Sequence, residues 1–205
     1  MLTFFSCGAR CVLIRAVSTF ASAGSQRWLQ LAVNRKPQLL TSALQRSGAI
    51  GSRASVTWNS PLEADDFREY RDRTALLKAG VGVPNLKKPL EQFWPARGPV
   101  WDALGLTSEG HPVFVEAKAH IPEAASPATK ATAAASQDLI ERSLCEARKF
   151  YAPRATANWS KLFYQYANRL AHQYFLIRLN DVPSALVFLY FLNADDMLGP
   201  MTKEE

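Results

Sequence analysis

Hydrophobic positions along the chain recur with two periods, and the switches between them divide the sequence into elements. Residues 26–47 have helical spacing, with Trp28, Leu29, Leu31 and Val33 followed, after a break at Pro37, by Leu39, Leu40 and Leu44. After a turn at 48–51, the β-branched and aromatic run ASVTWN over 54–59 predicts a short strand. Ser60-Pro61 then predicts a helix over 62–78, with Glu63, Asp65 and Asp66 at its positive end. Residues 137–151 carry the stripe Leu139, Ile140, Leu144, Ala147 and Phe150 behind Ser136 as N-cap. Over 159–177, Leu162, Phe163, Tyr166, Leu170 and Tyr174 form a broad apolar face, with Ala167 and Ala171 beside it. There Gln165, Asn168, Arg169 and His172 are expected on the polar side. The continuous apolar run over 184–192, SALVFLYFL, predicts a strand buried on both faces.

Between these elements the period changes to two. Residues 100–106 and 112–121 read as two strands joined by the turn Ser108-Glu109-Gly110. On the second, Val113, Val115, Ala117 and Ala119 share a small apolar face suited to a packed helix. Phe114, Glu116, Lys118 and His120 share the other. Folding the hairpin at Glu109 brings Asp102 roughly opposite Glu116, and directly paired side chains lie about 5 Å apart. Two carboxylates so close repel, and a divalent cation between them, with Lys118 beside it, would remove the repulsion. Hard cations of the magnesium type take one or two carboxylates together with water and substrate phosphate.

This arrangement, an aspartate at the end of one strand and Glu-Ala-Lys on the next, resembles the PD-(D/E)xK nuclease superfamily. Trp101 stands where that motif has proline. The wording SPLEADDFREYRD, FWPARGPVWDALG, VEAKAHIPE and YQYANRLAH resembles a bacterial branch of uncharacterised function, over roughly 26–200. The resemblance implies a restriction-endonuclease-like α/β (α+β) fold, a mixed central sheet flanked by helices. It also implies a metal-dependent nuclease in which Asp102, Glu116 and the Ala117 carbonyl hold Mg2+ or Mn2+, and Lys118 joins Asp102 and Glu116 in catalysis. Auxiliary positions are Glu69, placed in the helix over 62–78; His120 on the strand face; and Gln165 and Arg169, one helical turn apart. For Glu69 a solvated helix face is the stronger reading. For Gln165 and Arg169 the two readings are even. His111 and His172 are taken as structural. The competing class is a nuclease-like scaffold that binds nucleic acid or a partner protein without catalysis.

Composition bounds these readings. The 205 residues, 48% hydrophobic and 20% charged, suit one globular domain. The net charge of +6 is misleading about the body: seven of the 24 basic residues and none of the 18 acidic ones lie in 1–62. The remainder holds 17 basic against 18 acidic residues, a net of −1. Any phosphate grip must therefore come from local placement. The basic, aromatic connection over 80–98, with Lys87, Lys88, Phe93, Trp94 and Arg97, is read as a loop stapled by Trp94 ahead of a nucleic-acid contact. Residues 122–136 are expected to be a mobile loop.

Cys7, Cys11 and Cys145 lack metal-ligand spacing and read as free thiols of a reducing compartment. Residues 1–24 read as a disordered leader ahead of one domain over 25–205. A transit peptide is the competing reading, so the expected location is cytoplasmic with organellar import as the alternative. No membrane partner is expected, and nucleic acid is, DNA ahead of RNA. Only 13 residues follow the apolar run at 184–192. A chain shortened there would leave a sheet edge uncovered.

Overall fold

The computed structural model describes residues 19–124, 127–161, 163–198 and 201–203. Two helices open it, α1 (Gly24–Arg35) and α2 (Pro37–Ser47), broken at Lys36 as the proline requires. Ala23, before α1, has no capping side chain; the Asp196 carboxylate accepts instead from the Gly24 amide at 3.3 Å and the Trp28 indole at 2.8 Å. A carboxylate at that end also suits the helix dipole. The expectation of a disordered leader falls mainly on 1–18, outside the described residues. Next to them, Phe20 packs on Phe67 with ring centroids 4.8 Å apart.

Strand β1 (Val56–Ser60) is followed by a correction. The helix expected over 62–78 is a 3-10 turn at Glu63–Asp65, a short strand β2 (Tyr70–Arg71) and a helix α3 of only Asp72–Lys78. Asp66 and Phe67 adopt left-handed φ of 52° and 54°, which no α-helix accommodates. Glu69 therefore precedes a strand. The connection over 80–98 is stapled as expected, with Phe93 and Trp94 both buried.

The predicted first strand of the hairpin is two, β3 (Val100–Trp101) and β4 (Ala103–Thr107), parted at Asp102. Its second strand, β5, spans Pro112–Lys118, shorter than the expected 112–121, and the turn uses Gly110 at φ 80°. Gly105 answers a different need: a Cβ there would come within 2.8 Å of Val56 and 3.1 Å of the Thr57 carbonyl. Helices α4 (Ile121–Ala124), α5 (Ala134–Tyr151) and α6 (Tyr164–Tyr174) follow, α6 running into a π-helical turn at Phe175–Leu179. Ser136 lies inside α5, so Ala133 stands at its N-cap. Strand β6 (Ala185–Tyr190) completes the sheet.

The main sheet has the order β1-β4-β5-β6, with β5 and β6 parallel and the other pairs antiparallel; β2 and β3 form a second, two-stranded sheet. The architecture is thus mixed α and β, with a mixed sheet flanked by helices. On one face Leu29, Val33, Leu40 and Leu44 of α1 and α2 cover Val113, Val115 and Ala117, the face expected to receive a helix. Each large side chain buried there contributes roughly 1.5–3 kcal/mol. On the other, Phe93, Trp101, Phe114, Leu144 and Phe175 build a second core with α3, α5 and α6.

Two further expectations are corrected. Strand β6 is a sheet edge on which Val187 alone is buried: among the described residues no strand pairs with its far side, and Tyr166 of α6 packs on Phe188. On α6 the buried residues include Asn168, Arg169 and His172, the supposed polar side, while Phe163 is exposed and Tyr166 and Leu170 are half-buried. The inward polar groups find buried partners, and those partners define the site.

Candidate active site

Asp102 organises the hairpin mouth. Its amide donates to the Val115 carbonyl at 3.2 Å, and its Oδ2 accepts the Ala117 amide at 2.7 Å. The side chain thus takes a place in the ladder that a main-chain carbonyl would otherwise fill, which parts β3 from β4. With Ala103 paired to Val115, Asp102 lies beside Glu116, as the alternation implied.

Glu116 is buried at 3% side-chain exposure between two cations. Its Oε1 accepts from Lys118 Nζ, while Oε2 accepts from Arg169 Nε at 2.8 Å and also from the Nη2 group. Arg169 is itself fixed on every side: it donates to the Val100 carbonyl at 2.7 Å and to Asn168 Oδ1 at 2.8 Å, and lies 4.7 Å over the Trp101 ring. The sequence places Lys118 beside the carboxylate pair, and the structure adds Arg169 as a second cation on Glu116. Lys118 and Arg169 already neutralise Glu116.

Among the described residues Asp102 has no ion-pair partner. Burial, and next the Glu116 charge, push its carboxyl up to about 7, against the weaker opposing pull of the Ala117 amide and Arg169. Glu69 feels the same field. Its carboxyl is raised chiefly by burial and also by Glu116, while the hydrogen bond from Gln26 at 3.2 Å acts the other way. His172 is structural. Burial lowers it to about 4, its Nδ1 donates to the Asn168 carbonyl at 2.8 Å, and its ring packs on Trp94.

Asp102, Glu116, Ala117 and Lys118 all line one cavity of about 780 Å³, and Gln165 and Arg169 line it from α6. His120 lies past the end of β5 and Glu69 just before β2; neither is among the described residues that line the cavity. Arg71, Arg97 and Lys130 also reach the cavity. The sequence places Arg71 in a helix, within the wording that carries the resemblance but with no role assigned, and Lys130 in a mobile loop.

A magnesium-type ion fits this donor set in its minimal form. Two carboxylates and a main-chain oxygen suffice where water completes the shell, and the Asp102 carboxyl, raised chiefly by burial and next by the Glu116 charge, is one of them. Among the described residues no group of three or more His, Cys, Asp or Glu side chains is placed to hold a metal ion. No helix among them is long and apolar enough to cross a membrane. Compared with protein-family models, with curated proteins and with solved structures, the chain matches none.

Proposed function

We propose that the chain is a metal-dependent phosphodiesterase of nucleic acid, a nuclease with a restriction-endonuclease-like core. The observation that carries this reading is the convergence of Asp102 and Glu116, from two strands, on one cavity beside Lys118. Asp102, Glu116 and the Ala117 carbonyl would hold Mg2+ or Mn2+. Such an ion supplies Lewis acidity toward a phosphoryl oxygen and acidifies bound water. The residues' own contributions follow from their places. Lys118 presents a buried ammonium where negative charge grows on the phosphate, the kind of fixed electrostatic help that is strongest in a water-poor site. Arg169 orients Glu116 and, being locked by Val100, Asn168 and Trp101, positions it without moving. Asp102, half-protonated near neutrality, would give up its proton on ion binding, so affinity should rise with pH through about 7.

Titration calorimetry with magnesium and manganese, alongside a cleavage panel of single- and double-stranded DNA and RNA, tests this. Wild type should bind a divalent ion at millimolar concentration and cleave at least one polymer, and Asp102→Asn should do neither. If Asp102→Asn cleaves as well as wild type, the reading is wrong. One observation favours the second reading, a binding scaffold without catalysis: both Glu116 oxygens are already engaged by Lys118 and Arg169. Polymer binding with no ion uptake would establish that alternative.

A further inference from the structure

The cavity has more positive charge than its floor uses. Five cationic side chains line it, Arg71, Arg97, Lys118, Lys130 and Arg169, against the carboxylates Asp102 and Glu116. Yet the chain beyond residue 62 has a net charge of −1, so this excess is local. Lys118 and Arg169 are committed to Glu116. Arg71, Arg97 and Lys130 are exposed, and none enters an ion pair or ring contact among the described residues. Of the basic residues in the connection over 80–98, Lys87 pairs with Asp181 and Lys88 lies over Phe93, which leaves Arg97 alone facing the cavity.

Arg97 is also placed by a device. Its φ is 66°, a left-handed value that a residue with a side chain adopts only when its surroundings hold it there. The holder is Asp72, whose Oδ2 accepts the Arg97 amide at 3.0 Å and whose Oδ1 accepts the Gly98 amide at 2.7 Å. The next residue must be glycine, because a Cβ at Gly98 would come within 2.9 Å of Asp72 Oδ1 and 3.2 Å of Trp94. Arg71 immediately precedes Asp72 and pairs with Val100 across β2 and β3. One carboxylate therefore fixes the turn of one arginine and adjoins the other, on the same cavity wall as Val100 and Asp102.

We infer that Arg71 and Arg97 form a second phosphate site at the cavity mouth, which takes the phosphate next to the one lying over Asp102 and Glu116. This rests on the nuclease reading for what occupies the floor. It narrows the substrate to a polynucleotide strand with at least two successive phosphates, in contrast to an isolated phosphodiester. Two guanidinium forks match phosphate oxygens better than ammonium groups do. Asp72 is then a positioning residue.

Fluorescence anisotropy of the full chain with a labelled 12-nucleotide single strand, one arm DNA and one RNA, in EDTA and across a range of KCl, tests the site with cleavage silenced. Arg71→Ala and Arg97→Ala should each weaken binding about 5- to 10-fold at low salt. Each should also flatten the slope of log affinity against log salt by about 0.7, the value for one phosphate contact on a single strand. Arg97→Lys should keep the slope, and Arg46→Ala, exposed on α2, should match wild type. Unchanged slopes in both alanine variants, or no salt-dependent binding by wild type, would overturn the inference. Arginine-dependent binding without cleavage in magnesium would instead sink the catalytic reading and leave the grip standing; cleavage with arginine-independent binding would do the reverse.

Discussion

The two faces of β5 are built from one seven-residue strand and solve opposite problems. Val113, Val115 and Ala117 point into an apolar layer under α1 and α2, where nothing needs a charge partner. Phe114 continues the second core, but Glu116 and Lys118 on the same side are just as buried and must be neutralised. The difference teaches what alternation can specify. A period of two separates the faces but says nothing about what covers each. On the apolar face any well-packed helix suffices. On the polar face Arg169 must come from α6, 53 residues from Glu116, to complete the charge balance.

Breaking the polar face should have the largest effect, and it should be on chemistry. Asp102→Asn and Glu116→Gln should abolish divalent-ion binding and cleavage. Lys118→Ala should bind the ion nearly as wild type does and lose turnover by about 10²–10³-fold, typical for removal of one fixed electrostatic group. Calorimetry and single-turnover cleavage on the same preparations separate the two patterns. Equal loss of ion binding in all three variants would show that Lys118 works by holding Glu116 in place.

Next in size is the stability of the ion cluster. Glu116→Gln leaves the Lys118 and Arg169 charges buried without their shared carboxylate, and losing one member of such a cluster typically costs about 3–5 kcal/mol. Asp102 should then lose a neighbour that raises it, so its carboxyl should titrate nearer the ordinary range. Urea unfolding and carboxyl NMR check the two halves. A variant as stable as wild type would mean that water already screens the cluster.

How much of this was legible in the chain follows the same division. The hairpin, its turn, the Asp102–Glu116 juxtaposition and the apolar face under α1 and α2 follow from local periodicity, and the structure has them. The errors cluster where tertiary partners override pattern. Asn168, Arg169 and His172 fall by pattern on the polar side of the helix, where Arg169 reads evenly as a site contact or a solvated face and His172 as structural; all three are buried, and Glu116, Trp101 and Trp94 supply partners that sequence cannot show. The helix expected over 62–78 failed at Asp66 and Phe67, whose left-handed backbone no propensity scale announces. The apolar run at 184–192 does form strand β6, but an apolar run gives composition and not neighbours: it reads as buried on both faces, yet among the described residues it lies at the sheet edge.

The apolar face supplies a matched control of intermediate size. Leu29 is almost fully buried against the β5 side that carries no charge. Leu29→Ala should cost about 2–5 kcal/mol through lost transfer energy and the cavity left behind. Divalent-ion affinity of the folded variant should be unchanged. A shift in that affinity of tenfold or more would show that the two faces are coupled through the strand, and the comparison would fail.

The smallest expected effect has the opposite sign. Asp102 titrates near 7 in the folded protein against an ordinary value of 3.8, so between those limits the native state holds a proton that the unfolded chain has released. Where the native state binds more protons, stability falls as pH rises. The metal-free protein should thus lose stability from about pH 4 to about pH 7 on account of this group and level off above. Asp102→Asn removes the ionisation while its amide oxygen can still accept the Ala117 N–H. The variant should be more stable than wild type at pH 8, by on the order of 1 kcal/mol, since water reaching the cavity softens the repulsion. It should also show a flatter pH profile between 4 and 7. Glu116 gives the contrast, since its removal destabilises. If Asp102→Asn is instead the less stable protein at pH 8, the aspartate earns its place through the Ala117 hydrogen bond alone, and the two carboxylates do not feel each other as the fold implies.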